Sequence, residues 1–380
     1  MIRPAFVRAS DISIVIPARN ASATIDRCLR AIGESDEQPL EVIVFDDAST
    51  DETAAVARRH GARVITSRRR CGPAAARNRA ARTAQGEVLL FIDADVLVRS
   101  DTVQRVAAFF TERLDIDALF GSYDDKPAAP GFFSQFKNLQ HHYVHQTSRS
   151  EAATFWTACG AIRREAFEDV GGFDERWYTI QDIELGLRLG EAGRRVALVK
   201  DLQVTHTKSY TFASWLRSDV LARALPWSLL ILDRRTLRDD LNVKWSDRAS
   251  GLLAIAAPLW LAGPLALPVR SLFALASLAA LLLLQRRFLR FLAHHRGVLF
   301  AARSSLALAG YYAYSTLAFG AALLLHLAGR GKRPFWWPPA PEREEEVALA
   351  GIPDETTPLP SRPLPASLPA IDPWHHRETR

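Results

Sequence analysis

Val88-Leu89-Leu90-Phe91-Ile92-Asp93-Ala94-Asp95 decides how this chain is read. An apolar β run stops abruptly at two carboxylates one residue apart. Strand side chains alternate faces, so Asp93 and Asp95 are expected to point the same way off the strand's carboxyl end. In open α/β sheets that edge is where ligands bind. Neighbouring carboxylates repel unless a cation lies between them, and a divalent ion carrying phosphates meets that need. Such D-x-D pairs also arise by chance, so the surrounding sequence carries the weight.

Working outward, Ile12–Ile16 closes at Pro17, Leu40–Phe45 closes at Asp46-Asp47, and Arg63–Thr66 is a third short β run. Helical stretches lie near Ala23–Ile32, Asp51–His60, Pro73–Ala84 and Asp101–Arg113, with Ser49 or Thr50 and Ser100 as N-caps. Strand, loop and helix recurring at this spacing predict right-handed βαβ units and a mainly parallel sheet flanked by helices, an α/β fold. From Asp117 to His206 the pattern loosens. Gly171-Gly172 reads as a turn, Thr179–Glu191 as a helix, and Val196–Val199 and Gln203–His206 as two short strands. Thr211–Leu232 reads as an amphipathic helix broken at Pro226 and leading toward a membrane.

The 380 residues have room for one large or two modest domains. A mean hydropathy near zero hides two unlike halves that divide near residue 248. Apolar stretches follow at Ala249–Pro268, Ser271–Leu284 and Ser304–Ala328. The first two lie near the lower limit of a span of about 17–25 residues, with Pro264, Pro268 and Arg270 suggesting a tight hairpin between them. The competing reading is three buried core helices. The net charge is +6, and Arg286, Arg287, Arg290, Arg296 and Arg303 crowd between two apolar segments. That clustering fits an anionic, cytoplasmic membrane face better than nucleic acid, for which no recognition motif is present. Arg330, Lys332 and Arg333 ask for the same side, and a third complete span cannot satisfy both groups. The larger cluster is given precedence and the side of the tail is left open.

Cys28, Cys71 and Cys159 form neither a metal pattern nor a disulfide framework, which fits a reducing compartment. Ile2–Asp11 lacks the apolar core of a secretory signal. Pro334–Arg380 is too rich in proline and charge to bury much surface, and disorder is expected there. The expected organisation is therefore a globular domain over 1–248, a multi-pass transmembrane region over 249–328 and a Pro-rich tail over 329–380.

The loops at the strand ends share a logic. Pro17-Ala18-Arg19-Asn20 offers backbone to cradle a flat base, and Asp46–Asp51 offers a carboxylate to a base imide. Cys71–Asn78 is a helix start carrying Arg77, and the fourth strand delivers Asp93 and Asp95. In order, these would meet base, ribose and a metal-held diphosphate. Each alone is equally well a polar loop with helix caps.

Taken together, the loops resemble glycosyltransferase family 2, whose members carry the GT-A nucleotide-diphospho-sugar-binding fold. The resemblance covers about residues 10–232. It rests on Pro17–Asn20, Asp46–Asp51, Gly72 with Ala76-Arg77-Asn78, Asp93-Ala94-Asp95, Gly171–Glu175, and Gln181–Leu185 with Arg188-Leu189. It implies that Asp47 pairs with the base, framed by Pro17, Ala18 and Arg77, with Asn20 in the same nucleotide-sugar site. It further implies that Asp93 approaches the ribose and the metal's hydration shell, that Asp95 ligates Mg²⁺ or Mn²⁺, and that Asp182 is the general base of an inverting transfer. His206 lies where many GT-A enzymes return a histidine to the metal; a locally hydrogen-bonded strand-end histidine is the alternative. Trp156 corresponds to the acceptor-side loop, with core packing as its other reading.

Two departures stand out. Gln181 replaces the acidic residue that commonly precedes the base, which leaves one fewer carboxylate to hinder ionisation of Asp182. Glu184 is the reserve base, and Gln181 and Glu184 join Trp156 as acceptor-side candidates. Arg223-Ala224-Leu225-Pro226-Trp227 only faintly resembles the Arg/Trp motif of processive synthases, so processivity is not inferred.

The implied activity is transfer of a hexosyl or N-acetylhexosaminyl group from a nucleotide-diphospho-sugar, UDP-linked in the leading reading. The acceptor would be a lipid, lipid-linked saccharide or polysaccharide at the cytoplasmic face of the inner membrane. Alternatives are transfer to polyprenyl phosphate and a non-catalytic nucleotide-sugar-binding scaffold.

Overall fold

The computed structural model describes residues 6–235, residues 244–329 and Val347–Ala348. β1 (Ile12–Ala18), β2 (Glu41–Asp46), β3 (Arg63–Ser67) and β4 (Val88–Ile92) alternate with α1 (Ser22–Gly33), α2 (Thr53–Arg59) and α3 (Pro73–Thr83). They pair in parallel in the order β3-β2-β1-β4. Side-chain alternation then builds two cores. Ile12, Ile14 and Ile16 of β1 with Val88, Leu90 and Ile92 of β4 meet Ile25 and Leu29 of α1 on one face. Val15, Leu89 and Phe91 meet Ala75, Ala76 and Ala80 of α3 on the other, where small side chains let that helix lie close. A fully buried Phe such as Phe91 contributes roughly 1.5–3 kcal/mol.

Beyond β4 the sheet is mixed. The next elements are β5 (Val96–Leu97), α4 (Thr102–Glu112), β6 (Ala118–Tyr123), α5 (Phe132–Thr147), β7 (Glu151–Ala152) and β8 (Cys159–Arg163). α6 (Arg164–Asp169), α7 (Gln181–Glu191) and β9 (Val196–His206) complete the sheet domain. β8 runs antiparallel to both β4 and β6, while β9 is parallel to β6 and antiparallel to β5 and β7. The two short strands expected at 196–206 are one strand, which absorbs a register shift opposite Phe120–Ser122.

The expected N-caps are also displaced. Glu52 and Asp101 occupy the cap positions of α2 and α4 without side-chain bonds. Ser49 instead accepts from Asn20 N, Ser100 donates to Asp36, and Asp51 accepts from Ser22 N and Thr53 N, so these polar groups tie loops together.

The helix expected to be broken at Pro226 consists of α8 (Phe212–Asp219), a π turn (Val220–Ala224) and α9 (Leu225–Arg234), with the irregular turn just before the proline. Pro226 lacks an N–H and crowds the preceding turn, and the wider π turn accommodates it. After these come α10 (Trp245–Ala262), α11 (Leu267–Leu284), α12 (Arg286–Arg296) and α13 (Val298–Leu327). Two helices, α11 and α13, are long and apolar enough to cross a membrane. α10, the third apolar segment, opens with polar Ser246, Asp247, Arg248 and Ser250. Leu272, Leu275, Leu306 and Leu324 stand exposed on the two long helices. α12 holds exposed Arg286, Arg287 and Arg290, while its Phe288 and Leu292 pack with Phe136 of α5. The tail expected to be disordered lies outside the described residues, apart from β10 (Val347–Ala348), which pairs with β3.

Candidate active site

Asp95 and His206 meet through strand register. β5 begins just after Asp95, and Val96 pairs with His206 across the β5–β9 ladder. Thr207 fixes the turn by donating to the Asp95 carbonyl from N at 2.9 Å and Oγ1 at 2.8 Å. Asp95 Oδ2 then lies 3.6 Å from His206 Nε2. The His206 ring stacks on Tyr123 of β6, centroids 4.4 Å apart at 17°. Burial favours the neutral form of Asp95, but His206 and Lys208 outweigh it and hold the carboxyl below its ordinary value. A hard oxygen and an imidazole nitrogen this close fit one divalent ion, whose ligand bonds are about 2.1 Å long. Among the described residues no three such side chains converge, so water or substrate oxygens would fill the other positions.

Asp93 leans the other way. Its Oδ1 accepts from Arg77 Nη2 at 2.6 Å, and Arg77 is buried on α3. With its amide oxygen toward that guanidinium, Gln181 accepts from Arg77 Nη1 at 2.8 Å and donates to the Thr179 carbonyl at 2.8 Å. Arg77 thus joins Asp93 to Gln181 at the start of α7. Gln181, 7% exposed, is a support for Arg77 and is not open to an acceptor.

On the nucleotide-facing loops, Asn20 sits at φ 48° and its side-chain oxygen accepts from Thr50 N at 2.8 Å, which locks the ends of β1 and β2 together. Pro17 is half-buried and Ala18 is buried beside it. Asp47 is buried, and its two oxygens accept from Cys71 N at 2.6 Å and Gly72 N at 2.9 Å. Gly72, at φ 87°, lets the chain turn sharply into Pro73 and α3. A carboxylate has about four acceptor positions, so two remain on Asp47.

Asp182 lies in the first turn of α7, half-buried, with Oδ2 accepting from Thr157 N at 3.5 Å and Oδ1 from Ile183 N at 2.9 Å. Burial pushes its carboxyl above the ordinary carboxylate range, and Arg77 partly offsets this. Losing the neighbouring acid at 181 is thus outweighed by desolvation. Ile180, just before the helix, has φ 42°, a strained conformation for a β-branched residue. Its side chain is buried with Ile183, Leu187 and Leu230, and that packing holds the strain in place. Glu184, the reserve base, is excluded. It is fully buried and accepts from Arg188 and from Arg234 at 2.7 Å, on the far side of α7.

Asp93, Asp95, Tyr123, Trp156 and His206 face a cavity of about 210 Å³. Trp156 lines this space and packs edge-on against Tyr123 at 4.6 Å and His145 at 5.0 Å. Of the remaining wall, Lys137, Asn138, His141, Lys208 and Tyr210 were not singled out from the sequence, and Arg223 only through a faint motif likeness. The signal was there in part: Lys137, Asn138 and His141 share one face at helical spacing.

Residues 13–171 match the model for Glycosyl transferase family 2. The chain carries a glycosyl transferase family 2 domain. With the strand order above, its fold is GT-A, a mixed sheet between helices. The match ends before Asp182, so α7 and β9 are placed by geometry. Among relatives, the chain is 25% identical over 231 residues to the O-antigen chain rhamnosyltransferase RfbN of Salmonella typhimurium, covering 57% of this chain and 74% of that one. It is 26% identical over 264 residues to the N-acetylglucosaminyl-diphospho-decaprenol L-rhamnosyltransferase of Mycobacterium tuberculosis, covering 60% and 85%. Against the pre-mycofactocin glycosyltransferase of the same species, the chain spans only 44% of the relative's length. A solved mannosyltransferase of Pyrobaculum calidifontis, in complex with GDP-Man and Mn²⁺, superposes with TM-score 0.47 at 22% identity, covering 84% of this chain and 88% of that one.

Proposed function

We propose that this family 2 protein is an inverting glycosyltransferase that moves a sugar from a nucleotide-diphospho-sugar, UDP-linked, to a lipid-linked saccharide at the cytoplasmic face of a membrane. The observation that supports the reading is the Asp95–His206 pair next to Asp93, whose partner Arg77 also acts electrostatically on Asp182. Relatives that act on O-antigen chains and on diphospho-decaprenol saccharides support the acceptor class. α11 and α13 support a membrane location.

In this mechanism the base and ribose rest on Pro17, Ala18, Asn20 and Asp47, with Asp93 at the ribose. Asp182 takes the proton of an acceptor hydroxyl as that oxygen attacks the anomeric carbon from the face opposite the diphosphate. The new C–O bond forms as the bond to the phosphate oxygen breaks. A positioned base of this kind contributes about 10²–10⁴-fold. Arg77 keeps Asp182 ionisable despite its burial. Asp95 and His206 would hold the divalent ion, Mn²⁺ in preference to Mg²⁺ given the imidazole, and that ion neutralises charge on the departing diphosphate.

The test is melting of the full chain with UDP, with and without Mn²⁺. The unmodified protein is stabilised only when both are present, by mass action. Asp95→Ala loses this increment and turnover; a variant that keeps both removes Asp95 from the ion site.

A further inference from the structure

Basic groups flank α13 on both sides, and a helix that crosses a bilayer would set them on opposite faces. Arg286, Arg287 and Arg290 stand exposed on α12 just before it, while Arg330, Lys332 and Arg333 follow it in the sequence. Both groups favour the cytoplasmic face. The packing of α13 lets one face hold both.

Its contacts with the sheet domain run from one end to the other. Near the start, Phe300 meets Phe132 of α5 with centroids 5.1 Å apart, and the Arg303 guanidinium lies 4.9 Å over the same ring. At the middle, Tyr314 donates to Asp219 of α8 at 2.6 Å. Toward the end, Ala318 and Ala322 pack with Leu225 and Leu229 of α9. The buried stripe from Ala301 through Leu308 and Tyr312 to Ala322 therefore runs about 32 Å, the whole hydrocarbon thickness of a bilayer. Were α13 to cross, parts of α5, α8 or α9 would be drawn into the hydrocarbon with it. α8 and α9 expose Arg217 and Asp233, and such charges are expelled from the bilayer centre.

The neighbouring elements agree. Arg296 of α12 donates to Gln135 at 2.7 Å and to the Asp125 carbonyl at 2.8 Å, which holds the entry to α13 on the sheet domain. α10 and α11 form a hairpin that leaves and returns on one side, since Gln285 after α11 donates to Ser250 near the start of α10 at 3.0 Å. Past α13, Val347–Ala348 pairs with the β3 edge, and the intervening sequence, rich in proline and glutamate, is not one that recrosses hydrocarbon.

The outer face of α13 says what covers it. Leu299, Leu306, Leu317 and Leu324 are exposed, and their spacing brings each to nearly the same azimuth. A helix with one face on protein and an apolar stripe outside fits the plane of a membrane surface, where such stripes sink about 5–10 Å. We propose that α13 lies flat in one leaflet with this leucine stripe at its acyl boundary, so that the protein is seated on the membrane from the catalytic side only. This rests on the membrane location proposed above and needs no part of the transfer reaction.

The full chain, carrying one nitroxide at Leu306→Cys, Leu317→Cys or Leu324→Cys, is reconstituted in vesicles of phosphatidylcholine and phosphatidylglycerol. Cys28, Cys71 and Cys159 are buried and stay unlabelled. Accessibility to oxygen and to a water-soluble nickel chelate gives the depth of each label. All three should lie at one depth within about 5 Å.

In a crossing helix Leu306 and Leu324 are about 27 Å apart along the bilayer normal, so one of the three labels would lie about 10 Å deeper than another. That result overturns the flat seating and leaves the membrane location standing. Labels shielded from both reagents and broadened by one another would put a second copy on the stripe, which also overturns it. Three labels fully in water would strike the membrane location itself. Tags at both ends of the otherwise unmodified chain give an independent check. In sealed inverted membrane vesicles a protease should remove both tags or neither, and removal of one alone overturns the proposal.

Discussion

Gly186→Ala tests how the base is positioned. Gly186 lies one helical turn past Asp182 on α7, against the backbone that leads into Trp156. A Cβ there would sit 2.2 Å from Phe155 N, 2.3 Å from Thr154 C and 2.4 Å from Thr154 Cα, where ordinary contact begins at 3.4 Å. All three atoms are backbone, so no side chain can swing aside, and the helix and the 154–156 segment must part by about 1 Å. Neither side yields easily: Leu185 and Leu189 anchor α7, and Phe155 anchors the facing segment, all of them buried. Overpacking of this kind costs about 1–3 kcal/mol, which lowers the melting temperature by about 2–4 °C per kcal/mol in a domain of this size. The functional effect is larger. Asp182 rides on the displaced helix and accepts from Thr157 in the segment it is pushed from. A shift of about 1 Å at a catalytic group costs on the order of 10²-fold in turnover. UDP–Mn²⁺ binding, proposed above at the ends of β1, β2, β4 and β9, should be unchanged. The assay is transfer from a radiolabelled UDP-sugar by membranes containing the full chain, with UDP affinity measured alongside. Turnover within about twofold of the unmodified protein would show that this contact does not position Asp182.

Two further substitutions separate chemistry from support. Because burial raises the Asp182 pKa, its stabilising contribution is complete below the ordinary carboxylate range and is lost as pH rises through the raised folded value. Asp182→Asn should therefore melt higher than the unmodified protein near neutral pH, with the gap closing as pH falls toward the ordinary carboxylate range. Its turnover should drop about 10²–10⁴-fold, and a lower melting point at neutral pH would contradict the burial argument. Glu184→Ala removes the buried carboxylate that Arg188 and Arg234 share, leaving Arg188 only backbone carbonyls and Arg234 only Glu191, and should cost about 3 kcal/mol, with turnover per folded molecule nearly unchanged. A large loss of turnover at unchanged melting temperature would instead return Glu184 to the role of base.

The four βα units were legible because each pairs a short β-branched run with a helix of clear period, and alternation along β1 and β4 sets both core faces. What periodicity does not encode is pairing across long separations. Nothing local in Cys159–Arg163 says that it runs antiparallel between β4 and β6, yet that strand turns a parallel sheet into a mixed one. The site divides the same way. Asp93 and Asp95 stand out because they end a strand, and His206 because it ends another. Arg77 was given a nucleotide-framing role because sequence order places it after a phosphate-side loop. Sequence order does not reveal its burial beside Asp93, with Gln181 on its other edge. Glu184 and Asp182 lie two residues apart on one helix, and the spacing rightly says they cannot act together. That Glu184 is the one held by guanidiniums depends on Arg234, a residue on α9 that no local pattern links to it.

The helices beyond residue 244 support the cavity wall. Asp219 accepts from Lys137 through one oxygen and from Tyr314 of α13 through the other, at 2.6 Å. A buried ion pair by itself is weak evidence for stability, since desolvation offsets much of its attraction. Its value here is geometric. With both oxygens engaged, Asp219 ties α5, α8 and α13 at one point, directly behind the wall that carries His141 and Arg223. Displacing α13 by even a fraction of a hydrogen-bond length would leave a buried carboxylate or ammonium underpaired, so the cationic wall and the apolar helix keep one fixed spacing.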